Sequence, residues 1–333
     1  MEIDERRLTE AAAKNGFSGV VAVTTADNAP WYRCYGSANR AFGVPNTLET
    51  RFALASGSKT FTALAVLRLV ELGLLSRDTP VRPVLGTDLP LIDDAVTVEH
   101  LLGHTSGIGD YLDEEADWDA ADYVLPVPVH TLDATSGFLP VLDGFEQAFA
   151  PGDHFAYNNG GYLVLALVAE RVSGRGYHEL VVEEVFARAG MRGAAFLRSN
   201  ELPGDAALGY LQASGDLTNV LHLPIRGNGD GGAYANVADL HLFWLSLLDG
   251  RIVGRDLVDE IVRPRFDVPD EGLRYGLGVY VHPDGPALLM EGYDAGVSMR
   301  SIHDPDTKTT ATVLGNTSEG AWPIAELLLR AFY

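Results

Sequence analysis

Phe52-Ala53-Leu54-Ala55-Ser56-Gly57-Ser58-Lys59-Thr60-Phe61-Thr62 leads into a run that reads as one helix over residues 58–74. Phe61, Leu64, Ala65, Leu67, Leu69, Val70 and Leu72 make it apolar on nearly every side, and such a helix belongs in the middle of a core. Ser56 and Lys59 sit at its head. Positions three apart share a helix face, so the lysine amine can reach the serine hydroxyl. The positive dipole end disfavours a protonated lysine and favours negative charge developing near the serine. A neutral amine there could take the serine proton and create a nucleophile. The lysines are Lys14, Lys59 and Lys308, and only Lys59 stands three residues after a serine. Alone, this spacing reads first as a helix N-cap serine. Gly57-Ser58-Lys59-Thr60 is similar to the tail of a phosphate-binding loop, but the glycines that loop needs upstream are missing.

Before this helix, residues 19–24 and 31–35 alternate as strands do, with a turn-prone Asp27-Asn28-Ala29-Pro30 between them. From 77 to 229 helical patterns (97–102, 161–172, 179–189) alternate with loops rich in Pro, Gly and Asp. A helix near 237–248 follows, then strands at 275–282, 287–290, 297–302 and 309–314, and a closing helix at 321–331. Strands at both ends around a helical middle predict an α/β fold: one antiparallel sheet, flanked by helices, built from residues 1–76 and 230–333. Residues 77–229 would be an all-helical insertion domain.

The 333 residues carry a net charge of −22, which argues against nucleic acid or an anionic membrane as partner, since both need basic patches. The charge reads first as that of a well-solvated cytosolic protein, and more sharply as a preference for neutral or cationic substrates. Cys34 is the one cysteine, so no internal disulfide forms; its strand-like setting reads as a buried structural thiol rather than a catalytic one. The charged N-terminus has no apolar stretch behind it, and no apolar run approaches the roughly 18 residues of a membrane span, so the cytoplasm is the expected compartment. The nine histidines are scattered; His178-Glu179 has Val182 where a zinc motif would need a second histidine. No metal or cofactor is expected.

Tyr157-Asn158-Asn159 precedes an apolar helix opened by Gly160-Gly161. A tyrosine hydroxyl can relay a proton to a leaving group, and an asparagine amide can hold a substrate amide by donor and acceptor together. Read alone, they are a loop tyrosine beside a helix-capping asparagine. With the segment at 52–62, however, they resemble the class C β-lactamase and D-alanyl-D-alanine carboxypeptidase superfamily, which also holds esterases and D-amino-acid amidases. Leu101-Leu102-Gly103-His104-Thr105-Ser106-Gly107-Ile108 resembles its helix-to-loop signature, Tyr157 and Asn159 its Tyr-x-Asn motif, and residues 231–240 the glycine pair entering a later helix. Gly296 and the strand to Asp304 resemble the segment after its third motif. The resemblance spans nearly the whole chain. It implies a β-lactamase/penicillin-binding transpeptidase-like fold with the active site between its two domains, and acyl transfer through a serine ester. Ser56 would be the nucleophile, Lys59 and Tyr157 the base and proton relay in an order left open, Asn159 a substrate-binding residue and His104 structural. The backbone N–H groups of Ser56 and Tyr293 would form the oxyanion hole.

The third motif departs from the family pattern of Lys-Thr-Gly or His-x-Gly. Counting back from Gly296 gives Met290-Glu291-Gly292; one gap puts Glu291 at the cationic position instead. Either way the cation that would bind a substrate carboxylate is missing. Glu291 would repel such a group unless Arg274 or Arg300 compensates, or it points away from the cleft altogether. Residues 110–122 hold Asp110, Asp113, Glu114, Glu115, Asp117, Asp119 and Asp122 without a cation. Such a run reads as a solvated loop, or, with Glu291, as a selector of amine-bearing acyl groups. The expected function is a serine hydrolase forming an acyl-enzyme on small esters or amides. The alternatives are a β-lactamase or D,D-carboxypeptidase, and a non-hydrolytic sensor of the same fold.

Overall fold

The structure, a computed structural model, describes residues 4–25, 29–112 and 122–330. Asp27 and Asn28 of the turn, and Asp113, Glu114, Glu115, Asp117 and Asp119 of the acidic run, lie outside these residues.

Eight strands form one antiparallel sheet: β1 (Gly19–Thr24), β2 (Trp31–Tyr35), β3 (Phe266–Val268), β4 (Leu273–Tyr275), β5 (Tyr280–Val281), β6 (Leu288–Asp294), β7 (Val297–Asp304) and β8 (Thr309–Gly315). Their order is β2-β1-β8-β7-β6-β5-β4-β3. β1 pairs with β8 from Gly19 opposite Gly315 to Thr24 opposite Thr310, so strands from the N- and C-terminal parts of the chain lie side by side as the second and third of the sheet. The continuous strand expected at 275–282 is instead β4 and β5 separated by a loop. Gly278 there has φ +86°, and a Cβ on it would lie 2.4 Å from the Cβ of Ala63. That left-handed turn pressed against a helix breaks the pleat.

Both faces of the sheet are covered, which is why β1 is apolar from Val20 to Val23 rather than alternating. Val21 and Val23 face a cluster with Leu8 and Ala12 of α1 (Glu5–Lys14) and Ile324 and Leu328 of the C-terminal helix. Val20 and Ala22 point the other way, into the main core with Phe61 and Leu64 of α2 (Lys59–Glu71). A 3₁₀ turn, Ala55–Ser58, leads into α2, which is buried at every position from Lys59 to Leu67. Phe61 is fully buried and meets Phe186 and Phe243 edge-on, with centroids 5.0 and 5.1 Å away. Phe61→Ala would cost about 3–5 kcal/mol.

α3 (Asn159–Ser173) packs on α2 and is buried from Asn159 to Ala169. α4 (Val237–Leu248) starts with a reciprocal cap, Asn236 and Asp239 each accepting the other's backbone N–H. α5 (Trp322–Arg330) covers the β7 side of the sheet. Phe52–Ala53 pairs with Tyr234–Ala235, and Leu54 N–H donates to Ala233 O at 2.8 Å, tying the 3₁₀ turn to the loop at residues 228–233. Cys34, expected to be buried, is only half-buried and is free, because it lies on the edge strand β2. Among the described residues no helix is long and apolar enough to cross a membrane.

Candidate active site

Ser56 lies on the 3₁₀ turn just before α2, partly exposed at the floor of a cleft of about 670 Å³. Ala55 before it has φ +42°, a left-handed conformation that costs a non-glycine residue about 1–2 kcal/mol and holds the turn in its sharp shape. Lys59, one turn on, is 2% exposed. Its Nζ lies 2.9 Å from Ser56 Oγ, 2.7 Å from Asn159 Oδ1 and 2.8 Å from the backbone oxygen of Asp230. The last two oxygens only accept, so they take two amine hydrogens. The third direction faces the serine, with either a hydrogen or, in the neutral amine, the lone pair.

Three elements converge to make that geometry. Asn159 opens α3, whose first turn is satisfied twice over. Asn158 Oδ1 accepts from Gly161 N–H at 2.6 Å, and Asp110 accepts from Asn159 N–H at 2.5 Å and Gly160 N–H at 2.9 Å. A carboxylate is well placed at a helix N-terminus. Burial nevertheless pushes the Asp110 carboxyl up to about 6, against the pull of those N–H groups and of the Lys59 charge. Asp230 is fixed by Tyr111, whose hydroxyl donates to its carboxylate; burial raises that carboxyl too, opposed by Lys59.

Tyr157 lines the cleft, with the Lys59 Nζ 4.9 Å from its ring centroid. Its ring stacks on His104 at 4.5 Å and 28°. His104 Nδ1 accepts from Asn158 N–H at 3.0 Å, and burial, then the Lys59 charge, holds its pKa well below the usual value. A neutral, buried imidazole that props the Tyr157 ring fits the structural part expected of it.

β6 forms the opposite wall. Alternation sends Met290 and Gly292 toward α2, and Glu291 and Tyr293 toward α5. Met290 is 1% exposed and belongs to the main core; of the residues expected to bind substrate it is the one whose side chain packs inward rather than lining the large cleft. Gly292 faces the nucleophile turn: a Cβ on it would lie 3.0 Å from Ser56 N and 2.9 Å from Gly57 N. Tyr293 is exposed at the cleft and its ring lies 6.3 Å from Trp322. Glu291 does line the cleft, but paired: Arg300, directly opposite on β7, donates from Nε to Glu291 Oε2 at 2.7 Å, and its Nη2 stands 2.7 Å from the same oxygen in an ion pair. Of the two arginines considered as compensators, Arg300 therefore serves, and Arg274 pairs with Asp267 instead.

Sequence reasoning missed Tyr111, Asp230 and Glu326, and counted Asp110 only as part of a charge run. Among the described residues no group of His, Cys, Asp or Glu could hold a metal ion.

Residues 5–331 match the protein family described as Beta-lactamase. The crystal structure of a penicillin binding protein from Bacillus halodurans is similar at TM-score 0.90 and 36% identity, over 98% of this chain and 100% of that one. A D-aminopeptidase of Brucella anthropi is 28% identical over 328 residues, which are 94% of this chain and 59% of the relative. Esterase EstB of Burkholderia gladioli is 34% identical over 195 residues, 56% of this chain and 49% of the relative. The match to these two curated relatives thus covers less than two thirds of their length.

Proposed function

The chain belongs to the beta-lactamase family and is a serine hydrolase of that superfamily, and from this premise we propose that it works through an acyl-enzyme on Ser56, formed from small esters or amides. The observation that carries the proposal is Lys59 Nζ at 2.9 Å from Ser56 Oγ, with Asn159 Oδ1 and Asp230 O orienting the amine. In the proposed sequence the Ser56 hydroxyl proton passes to Lys59 Nζ as Oγ bonds to the substrate carbonyl carbon. The displaced electron pair rests on the carbonyl oxygen, between the N–H groups of Ser56 and Tyr293. Collapse expels the leaving group, which takes the proton held on Lys59, relayed through the Tyr157 hydroxyl, and so returns Lys59 to the neutral amine. Water then adds to the acyl ester by the same steps in reverse and frees Ser56.

Around Ser56 the cleft is acidic, with Asp230, Asp267, Glu271, Glu291, Asp294 and Glu326 in its walls. That charge supports substrates with a free amine, and the likeness to a D-aminopeptidase supports the same class. The test is turnover of nitrophenyl esters and of D- and L-amino-acid amides by the protein and by its Ser56→Ala variant. Hydrolysis of an amide at a rate unchanged in Ser56→Ala would sink the proposal. A second reading, penicillin recognition, is favoured by the 36% identity to a penicillin binding protein and opposed by Glu291. Covalent penicillin labelling of Ser56 would decide for it.

A further inference from the structure

Among the described residues lining the cleft, Arg300 is the one guanidinium, and two carboxylates already hold it. Besides the Nε hydrogen bond and the ion pair with Glu291 Oε2, its Nη1 donates to Glu326 Oε1 of α5 at 2.8 Å, and the guanidinium lies 5.5 Å from the Trp322 ring centroid. The side chains of Arg300 and Glu291 are only 7% and 12% exposed, while that of Glu326 is 50% exposed. Two negative charges on one positive leave this wall with a net charge of −1, carried by Glu291, which water screens poorly, and by the half-exposed Glu326.

We propose that the Glu291–Arg300–Glu326 triad is a charge filter that sets the substrate class: it admits substrates whose group against this wall is neutral or cationic and rejects those that place a carboxylate there. The inference rests on the hydrolase reading above and deepens it. A substrate carboxylate can reach Arg300 only by displacing Glu291 or Glu326, and a displaced Glu291 would keep a poorly hydrated charge with no partner. An ammonium meets the excess negative charge directly. Glu291 is thus the specificity-determining residue, and Arg300 is a masked carboxylate site. The competing view, that the triad merely ties β6, β7 and α5 together, makes a different prediction. It expects lost stability on mutation and no change in selectivity.

The experiment compares Glu291→Gln and Glu326→Gln with the unaltered protein on two matched ester pairs. One pair places the carboxylate on the leaving group (4-nitrophenyl acetate and 3-carboxy-4-nitrophenyl acetate). The other places it on the acyl group (4-nitrophenyl benzoate and mono-4-nitrophenyl terephthalate). In the unaltered protein kcat/KM should favour the neutral member of at least one pair. Glu291→Gln should shift that ratio toward the carboxylate roughly 10- to 100-fold, the worth of one charge-assisted hydrogen bond. Glu326→Gln keeps the buried pair intact, guards against a folding failure of the first variant, and should shift the ratio the same way by less. Ratios within about threefold of the unaltered protein in both folded variants, on both pairs, would overturn the filter. Calorimetric binding of benzoate and benzamide to Ser56→Ala, with and without Glu291→Gln, reads the same ratio without turnover. Failure of the hydrolase reading and failure of the filter therefore give separate results.

Discussion

Gly292→Ala would test the nucleophile's surroundings with a single methyl group. Its Cβ would lie 2.1 Å from Leu54 O, 2.9 Å from Gly57 N and 3.0 Å from Ser56 N. A carbon–oxygen contact normally needs well over 3 Å, so β6 and the Ser56 turn would have to part by about 1 Å. Leu54 cannot yield easily: it is fully buried, its N–H is bonded to Ala233 O, and its carbonyl accepts from Gly57 N–H at 2.9 Å. The methyl also intrudes where a carbonyl oxygen would approach the Ser56 N–H. Misplacing a reacting group by about 1 Å costs ~10²-fold, and losing one oxyanion donor costs about 10²–10³-fold. The expected result is a kcat for 4-nitrophenyl acetate at least about 100-fold lower, with a stability loss of roughly 1–3 kcal/mol from overpacking. Gly204→Ala is the control. That glycine is exposed, has nothing within 4 Å of its would-be Cβ and does not use the left-handed region, so activity should hold and stability stay level or rise slightly. The reasoning is refuted if Gly292→Ala keeps kcat within about threefold and melts at the same temperature as the unaltered protein.

Lys59→Met would remove the group that Asn159 Oδ1 and Asp230 O accept from. Steady-state assays should find kcat down roughly 10²–10⁴-fold, with KM changing much less. Asp110→Ala would leave two α3 N–H groups without their side-chain acceptor; losing a helix cap costs about 0.5–2 kcal/mol, so chemical denaturation should record a loss in that range. Stability should also fall on acidification. Burial lowers His178 and His303 from 6.5 to about 4, so their contribution is full above 6.5 and is lost as pH falls toward 4, about 2 kcal/mol each by pH 5. Asp110, raised from 3.8 to about 6, works in the opposite sense and returns about 1 kcal/mol between pH 7 and 5. Urea midpoints at pH 8, 7, 6 and 5 should therefore decline, and His303→Gln should flatten the decline; a flat profile in the unaltered protein would contradict the assignment.

Much of this was legible where the controlling contact is local. Ser56 and Lys59 are one turn apart, and the apolar run from Phe61 to Leu69 marks α2 as buried without help from the rest of the chain. That strands from both ends of the chain share one antiparallel sheet followed from the helical middle between them; that β1 lies beside β8 did not, since it depends on the strand order. The break between β4 and β5 was missed because Gly278 is dictated by contact with Ala63, more than 200 residues away in sequence. Asp230 contributes a backbone oxygen, which no residue type advertises, and Tyr111 matters only because the fold sets it against Asp230. The Glu291–Arg300 pair was within reach. Asp294 opposite Val297 leaves Ala295-Gly296 as a two-residue hairpin turn, and counting outward places Arg300 across from Glu291. Placing that turn would have chosen Arg300 over Arg274.

The most direct measurement is intact-protein and peptide mass spectrometry after brief exposure to an activated ester. The expected result is a mass increase equal to the acyl group, located on the peptide that carries Ser56, decaying as product appears and absent from Ser56→Ala. Ester turnover that persists unchanged in Ser56→Ala, with no adduct at any time, would contradict a covalent mechanism on this serine.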